Sequence, residues 1–306
     1  MPYLNLYTRF LSKFFEIKAP IKVVFDPSNG GTGPVLKNLL RRSSSFSSII
    51  INGKPDGRFP AHGPNPLFDF AKKDLISAVL RHKADLGVIF DADGDRAFFV
   101  DDRGRPIYPD DAILFLMDRF SPPYIIDTGV GWQVRENPRF KNFLVQSKIG
   151  TYFIKKTIKK KGADFGAEGS GHYYFKSVFG KSAAYFDSGI RAAIEMINGV
   201  SRLKEKGKKL SDWLDGIPVY YRIPETNFRL TEKSKIERKI KAVEKFYKRA
   251  ARKISHLDGL IIETGEFWFN LRGSNTEPLL RLRLEARKKE VLVKELRRLK
   301  TLIKKN

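Results

Sequence analysis

Cysteine is absent from the 306 residues, which excludes disulfides and thiolate metal sites and fits a reducing, cytoplasmic setting. No run of about 18 uncharged apolar residues occurs, so no helical membrane span is expected. The first twenty residues, MPYLNLYTRFLSKFFEIKAP, have no continuous apolar stretch and no small-residue cleavage site, and Glu16 interrupts them; they do not read as a secretion signal. Acid is scarce, with 34 Asp and Glu against 58 Lys and Arg, a formal charge of +24. Such an excess attracts polyanions of any kind, whether nucleic acid, anionic lipid or phosphorylated metabolites. The basic residues are spread over stretches such as KKTIKKKG (155–162), which read as solvated helix surface. The aromatics fall at core-like positions such as EFWFNL, and no reader motif accompanies them, so nucleic acid is disfavoured as a partner.

Short apolar runs alternate with helix-like ones through the first two thirds of the chain. IKVVFD (21–26) precedes VLKNLLRR, SIIIN (48–52) precedes DFAKKDLISAVLRHK, and LGVIFD leads into an acidic stretch. This β-then-α order predicts sheets with helices on their faces. The pattern restarts after the proline pair of SPPY and ends near LKEKGKKLSDWLDGIP. Beyond it come a strand, a long helix over 232–254, three strands (LIIE, EFWFNLR, LLRLRLEAR) and a basic terminal helix. The expected fold class is therefore α/β. Two consecutive α/β domains with mixed, mostly parallel sheets span 1–120 and 121–215, and a C-terminal α+β domain spans 216–306. Nothing in the sequence shows whether the first two are structural repeats. RRSSSFSS (41–48) reads as a loop.

Three motifs carry chemistry. In FDADGDRAFF (90–99), Asp91, Asp93 and Asp95 alternate at the end of a strand and can converge hard oxygens on one divalent cation, most simply magnesium. A calcium EF-hand wants glycine at its sixth position, where Arg96 stands; the remaining alternative is a charged turn. In GAEGSGHYYF (166–175), glycines surround Glu168, Ser170 and His172, groups suited to sugar hydroxyls or simply to a polar turn. In LRGSNTEPLLRLRLEA (271–286), Arg272, Ser274, Asn275 and Thr276, with Arg281 following, offer either an anion cradle or a polar hairpin. A fourth stretch, DPSNGGTGP (26–34), lacks the Gly-Lys-Ser/Thr ending of a nucleotide loop, and its glycines are expected to shape a strand-to-helix turn.

In this order the motifs resemble the phosphohexomutase superfamily, the phosphomannomutases and phosphoglucomutases, from about Tyr3 to Lys300, with support from PDGRFPAHGPNPL (55–67), ADLGVIFD and the DSG of 187–189. The resemblance implies the second, third and fourth of four domains around a cleft. It implies magnesium held by Asp91, Asp93 and Asp95, and Arg96 neutralising charge beside the transferring group. It also implies sugar hydroxyls held by Glu168, Ser170 and His172, and the non-reacting phosphate gripped by Arg272, Ser274, Asn275, Thr276 and Arg281. The reaction implied is phosphoryl transfer on a hexose phosphate through a hexose 1,6-bisphosphate, which serves as intermediate and activator.

The chain departs from that family in one central respect. No Thr-x-Ser-His-Asn-Pro segment, the family's phosphoserine loop, is present, and Ser43 to Ser45 lie in no such context. Thr151 stands where the family often has a histidine, and a lysine expected near IIDTGVGW is missing. Three accounts follow: a mutase whose phosphoserine domain is a separate polypeptide, a truncated gene product, or a non-catalytic phosphosugar-binding or regulatory protein. The first predicts an apolar patch on the face that the serine domain would cover.

Overall fold

The computed structural model describes residues 2–42, 46–230, 232, 234–274 and 277–304. A leading helix α1 (Pro2–Ser12) packs on the first of three sheet-centred units. That unit runs β1 (Lys22–Asp26), α2 (Thr32–Leu40), β2 (Ser47–Ile50), α3 (Lys73–His82), β3 (Leu86–Phe90), β4 (Ala97–Asp101), β5 (Pro106–Ile107) and α4 (Pro109–Met117). The second runs β6 (Tyr124–Asp127), α5 (Trp132–Arg135), β7 (Leu144–Ser147), α6 (Thr151–Lys161), β8 (Phe165–Ala167), β9 (Tyr173–Phe179), β10 (Ser182–Asp187), α7 (Gly189–Glu205) and α8 (Leu210–Asp215).

The two sheets share one topology. The first has strand order β2-β1-β3-β4-β5 and the second β7-β6-β8-β9-β10. In each, the two pairings of the first strand are parallel and the two later ones antiparallel. The units are thus structural repeats that the sequence did not reveal. Their central strands are apolar on both faces: every residue of β3 and β6 is buried, as strands covered on both sides require. One continuous core joins the two units, with Phe90 and Phe99 of the first and Phe165 and Tyr173 of the second among its buried members.

The third unit is an antiparallel sheet backed by two helices. It comprises β11 (Tyr221–Arg222), β12 (Thr226–Arg229), α9 (Ser234–Tyr247), β13 (Lys253–Ser255), β14 (Leu260–Glu263), β15 (Phe267–Gly273), β16 (Leu279–Ala286) and α10 (Lys289–Lys304), in sheet order β11-β16-β15-β14-β13 with β12 also on β16. The helix expected over 232–254 is shorter: α9 stops at Tyr247, and Ile254 pairs with Ile262 as an edge strand. There the apolar residue satisfies a sheet face better than another helical turn would.

Strict alternation in β15 and β16 sorts their side chains. Phe269, Leu271, Leu280, Leu282 and Leu284 are buried in this unit's own core. The opposite face carries three cross-strand pairs, Trp268 with Glu285, Asn270 with Arg283, and Arg272 with Arg281. This polar face meets the second unit. Trp268 and Ile261 bury themselves against Trp132, and the Glu285 carboxylate accepts hydrogen bonds from the Trp132 backbone N–H (2.7 Å) and the Trp268 indole N–H (2.9 Å). Among the described residues no helix is long and apolar enough to cross a membrane.

Candidate active site

The acidic loop leaves β3 at Asp91, whose carboxylate folds the turn by accepting from the backbone N–H groups of Gly94 (3.1 Å) and Arg96 (3.2 Å). Its second oxygen takes the Arg96 guanidinium at 2.6 Å. One oxygen each of Asp91, Asp93 and Asp95 lies within 4.8 Å of the others. Burial, and then the charges of Asp91 and Asp93, push Asp95 up to about 6 against the opposing pull of His172. Three converging carboxylates that raise one another's affinity for a positive charge are an oxygen-only donor set suited to magnesium.

The glycine-rich stretch after β1 supports this loop as well as turning the chain into α2. The Gly31 N–H donates to the Ala92 carbonyl at 2.8 Å, and a Cβ on Gly30 would stand 2.2 Å from that same oxygen. Only glycine lets the two backbones come so close.

At the base of the same turn, His62 sits almost fully buried, with 4% of its side chain exposed. Its Nε2 lies 3.1 Å from an Asp26 oxygen and its Nδ1 2.9 Å from the Gly63 carbonyl. Both ring nitrogens face acceptors, which only the doubly protonated ring satisfies. The hydrogen bond to Asp26 raises the His62 pKa above its ordinary 6.5. A pKa raised on folding contributes stability that is complete below the unfolded value and is lost as pH rises through the folded one. The stability advantage of the wild type over His62→Gln in urea unfolding should therefore shrink as pH is raised from about 6 to about 9. A pH-independent difference would sink the assignment of the charged ring.

The glycine-serine loop leaves β8 at Glu168, only 2% exposed, whose oxygens accept from the Gly150 N–H and the Tyr174 hydroxyl, both at 2.6 Å. Burial, with the Glu168 charge beside it, drives the Tyr174 pKa far up and keeps the phenol a donor. Glu168 is thus the anchored root of the loop, while Ser170 and His172 are partly exposed, with Ser170 Oγ 2.9 Å from His172 Nδ1. His172 Nε2 reaches Asp95 at 3.4 Å. Thr151 is hydrogen-bonded to the Tyr174 hydroxyl at 3.1 Å.

The acidic and glycine-serine loops are joined by backbone. Ala97 N–H donates to the Gly171 carbonyl at 3.1 Å, and Arg96 and His172 form an antiparallel β-bridge. The DSG motif closes the joint. Ser188 caps α7 by accepting from the Arg191 N–H, and the Gly189 N–H donates to the Gly94 carbonyl at 3.1 Å. A Cβ on Gly189 would collide with the Arg96 carbonyl at 2.6 Å.

The third motif adjoins the second. Arg283 lies against the glycine-serine loop so closely that a Cβ on Gly169 would stand 2.5 Å from its Nη1. Asp127, at the end of β6, accepts from the Gly169 N–H at 3.0 Å; burial pushes its carboxyl up to about 6, and Arg283 opposes the rise. Arg272 and Arg281 face each other across β15 and β16, and the Nε of each is buried without a hydrogen-bond partner among the described residues. Ser274 is buried, its backbone N–H held by the Leu279 carbonyl at 2.8 Å. Asn275 and Thr276 lie outside the described residues. Sequence reading missed Arg283 and Asp127, although the alternation in LLRLRLEA puts Arg283 on the face of Arg281. It also missed Glu225, whose carboxylate pairs with Arg272, Arg281 and Arg283 and for which no local signal exists.

Two like α/β units carrying an acidic loop and a glycine-serine loop in contact, closed by an antiparallel unit that brings arginines to the second loop, define the architecture of the phosphohexomutases. Family models agree: Phosphoglucomutase/phosphomannomutase, alpha/beta/alpha domain II, matches residues 3–104, domain III matches 140–220, and the C-terminal domain matches 225–299. The chain belongs to the phosphoglucomutase/phosphomannomutase family. It is 35% identical over 290 residues to a phosphomannomutase of Methanocaldococcus jannaschii, covering 93% of this chain and 62% of that one. Over 302 residues it is 30% identical to a phosphomannomutase of Escherichia coli, covering 92% and 62%. A crystal structure of a phosphoglucomutase/phosphomannomutase family protein from Burkholderia thailandensis superposes with a TM-score of 0.84 at 27% identity, covering 99% of this chain and 65% of that one. The chain thus spans less than two thirds of the length of these relatives.

Proposed function

We propose that these residues form the metal-, sugar- and phosphate-binding parts of a phosphomannomutase/phosphoglucomutase-type enzyme that moves a phosphoryl group on a hexose phosphate by way of a hexose 1,6-bisphosphate. The observation that carries this reading is the contiguity of the three motifs: acidic loop to glycine-serine loop through Ala97 and Gly171, glycine-serine loop to arginines through Gly169 and Arg283. Asp91, Asp93 and Asp95 would hold magnesium, which when bound neutralises charge on the transferring phosphoryl group. Arg96, fixed by Asp91, adds a positive charge at the same place. Glu168, Ser170 and His172 offer hydrogen bonds to ring hydroxyls, and Glu168 also anchors their loop. Arg272 and Arg281, with Ser274 and the Asn275 and Thr276 that follow, grip the phosphate that does not react. Positioning and charge stabilisation of this kind supply most of what phosphoryl transfer needs beyond a nucleophile.

On this reading the nucleophile is supplied by a phosphoserine domain that lies outside these 306 residues. Exposed apolar residues on α1 support this reading. Tyr3 and Leu6 on α1 are 83% and 66% exposed, and Phe10 of the same helix stacks on Phe179, itself 50% exposed. The test is to mix the chain with a phosphorylated serine domain from a relative, magnesium and mannose or glucose 1-phosphate. Hexose 6-phosphate should appear, and chelation should abolish it. Tight binding of hexose phosphates with no turnover in that mixture would favour a second reading, a non-catalytic phosphosugar-binding protein.

A further inference from the structure

Glu225 stands just before β12 and points its carboxylate into the arginine cluster. One oxygen lies 3.4 Å from Arg272 Nη2 and 3.2 Å from Arg283 Nε, the other 3.3 Å from Arg281 Nη1. Burial pushes the Glu225 pKa up, but the charges of Arg283, Arg272 and Arg281 more than offset this and hold it below the usual carboxylate range. Arg283 has a second counter-ion in Asp127. Arg272 and Arg281 have no acidic partner other than Glu225 among the described residues.

The bonds from Glu225 to Arg272 and Arg281 are long. Charge-assisted N–H···O bonds usually measure about 2.7–2.9 Å, so the carboxylate sits between the guanidiniums without closing tightly on either. The Nε atoms of Arg272 and Arg281 are meanwhile buried with no acceptor among the described residues, although a planar guanidinium normally satisfies its fork of donors. The Glu225 side chain remains 25% exposed, so solvent and a solute can reach it. A carboxylate of this chain thus stands among the three guanidiniums while the Nε donors of Arg272 and Arg281 stay unmet among the described residues.

We propose that Glu225 is a built-in competitor of the bound phosphate, keeping the Arg272–Arg281 site weak enough for a phosphate group to leave and be replaced. The proposal rests on the phosphate-gripping reading of these arginines. A bisphosphorylated sugar that reverses its orientation must release one phosphate from this site and present the other, so binding that is too tight would stop the cycle. Glu225 does not touch the reacting atoms; it is a positioning residue acting through the two guanidiniums.

The test is calorimetric titration of inorganic phosphate into the whole chain at low ionic strength, for the wild type and the variants Glu225→Gln, Glu225→Asp and Arg272→Gln. Glu225→Gln should bind phosphate about tenfold more tightly, as expected for removing one like charge at a partly buried site. Glu225→Asp, which keeps the charge, should stay near the wild type, and Arg272→Gln should lose binding. In the complemented enzyme, Glu225→Gln should lower KM and kcat together, a split that simple unfolding does not produce. Unchanged or weaker phosphate binding by Glu225→Gln, while Arg272→Gln still loses it, would overturn the competitor role and leave the phosphate site standing. Phosphate binding unaffected by Arg272→Gln would overturn both.

Discussion

Asp93→Asn is expected to weaken magnesium binding by roughly tenfold to a hundredfold while leaving the metal-free fold intact. Asp91 is only 2% exposed and is occupied with the turn and with Arg96, and Asp95 reaches His172, so changing either disturbs local structure too. Asp93 is exposed and makes no hydrogen bond or ion pair among the described residues. Its charge therefore acts mainly on its acidic neighbours, where it is repulsive in the absence of a cation. Two readings should separate cleanly. The thermal midpoint without metal should stay level or rise, and the stabilisation conferred by added magnesium should largely vanish. Equal magnesium affinity in the two proteins by titration would refute the metal site.

The second large effect is expected at the joint between the units. Glu285→Ala should cost about 3–5 kcal/mol in urea unfolding, the range for removing one partner of a buried ion pair. Glu285 is 2% exposed, and Arg222 Nε lies 3.2 Å from it. Asp110, itself taking the Gly131 N–H at 3.0 Å, lies 3.9 Å from the same guanidinium. Truncation leaves Arg222 without its nearest counter-ion and orphans the Trp132 and Trp268 donors. Glu285→Gln keeps an acceptor for both tryptophans and should cost distinctly less. A loss below about 1 kcal/mol for the alanine variant would mean that the cluster does not hold the third unit in place.

The legible part of this molecule was what lies within one strand and its following turn. Apolar runs such as LGVIF and the alternation of LLRLRLEA are local consequences of burial, so strands and motif loops could be placed from them. The alternating aspartates announced an oxygen-rich site because three like charges at that spacing are costly without a cation. What could not be read depends on residues far apart in sequence. Glu225 lies 47 residues from Arg272 and 58 from Arg283, and β12 packing on β16 alone brings it to them. The shared topology of the first two units was hidden because topology constrains where strands run, and many side chains fill the same buried positions. The helix expected to continue to residue 254 failed because its last apolar residue was claimed by a sheet edge, a tertiary preference that local propensity does not record.

The paired sheets carry a consequence for how much this protein can vary. The acidic loop connects β3 to β4, and the glycine-serine loop connects β8 to β9, so the two occupy the same place in the two copies of one topology. They meet through the Arg96–His172 bridge, the Ala97–Gly171 hydrogen bond and the contact of His172 with Asp95. Neither loop is then free to lengthen by itself. An insertion that any surface loop would absorb elsewhere would here pull one loop out of register with the other, and the tolerance of each loop to change in length is set by its counterpart.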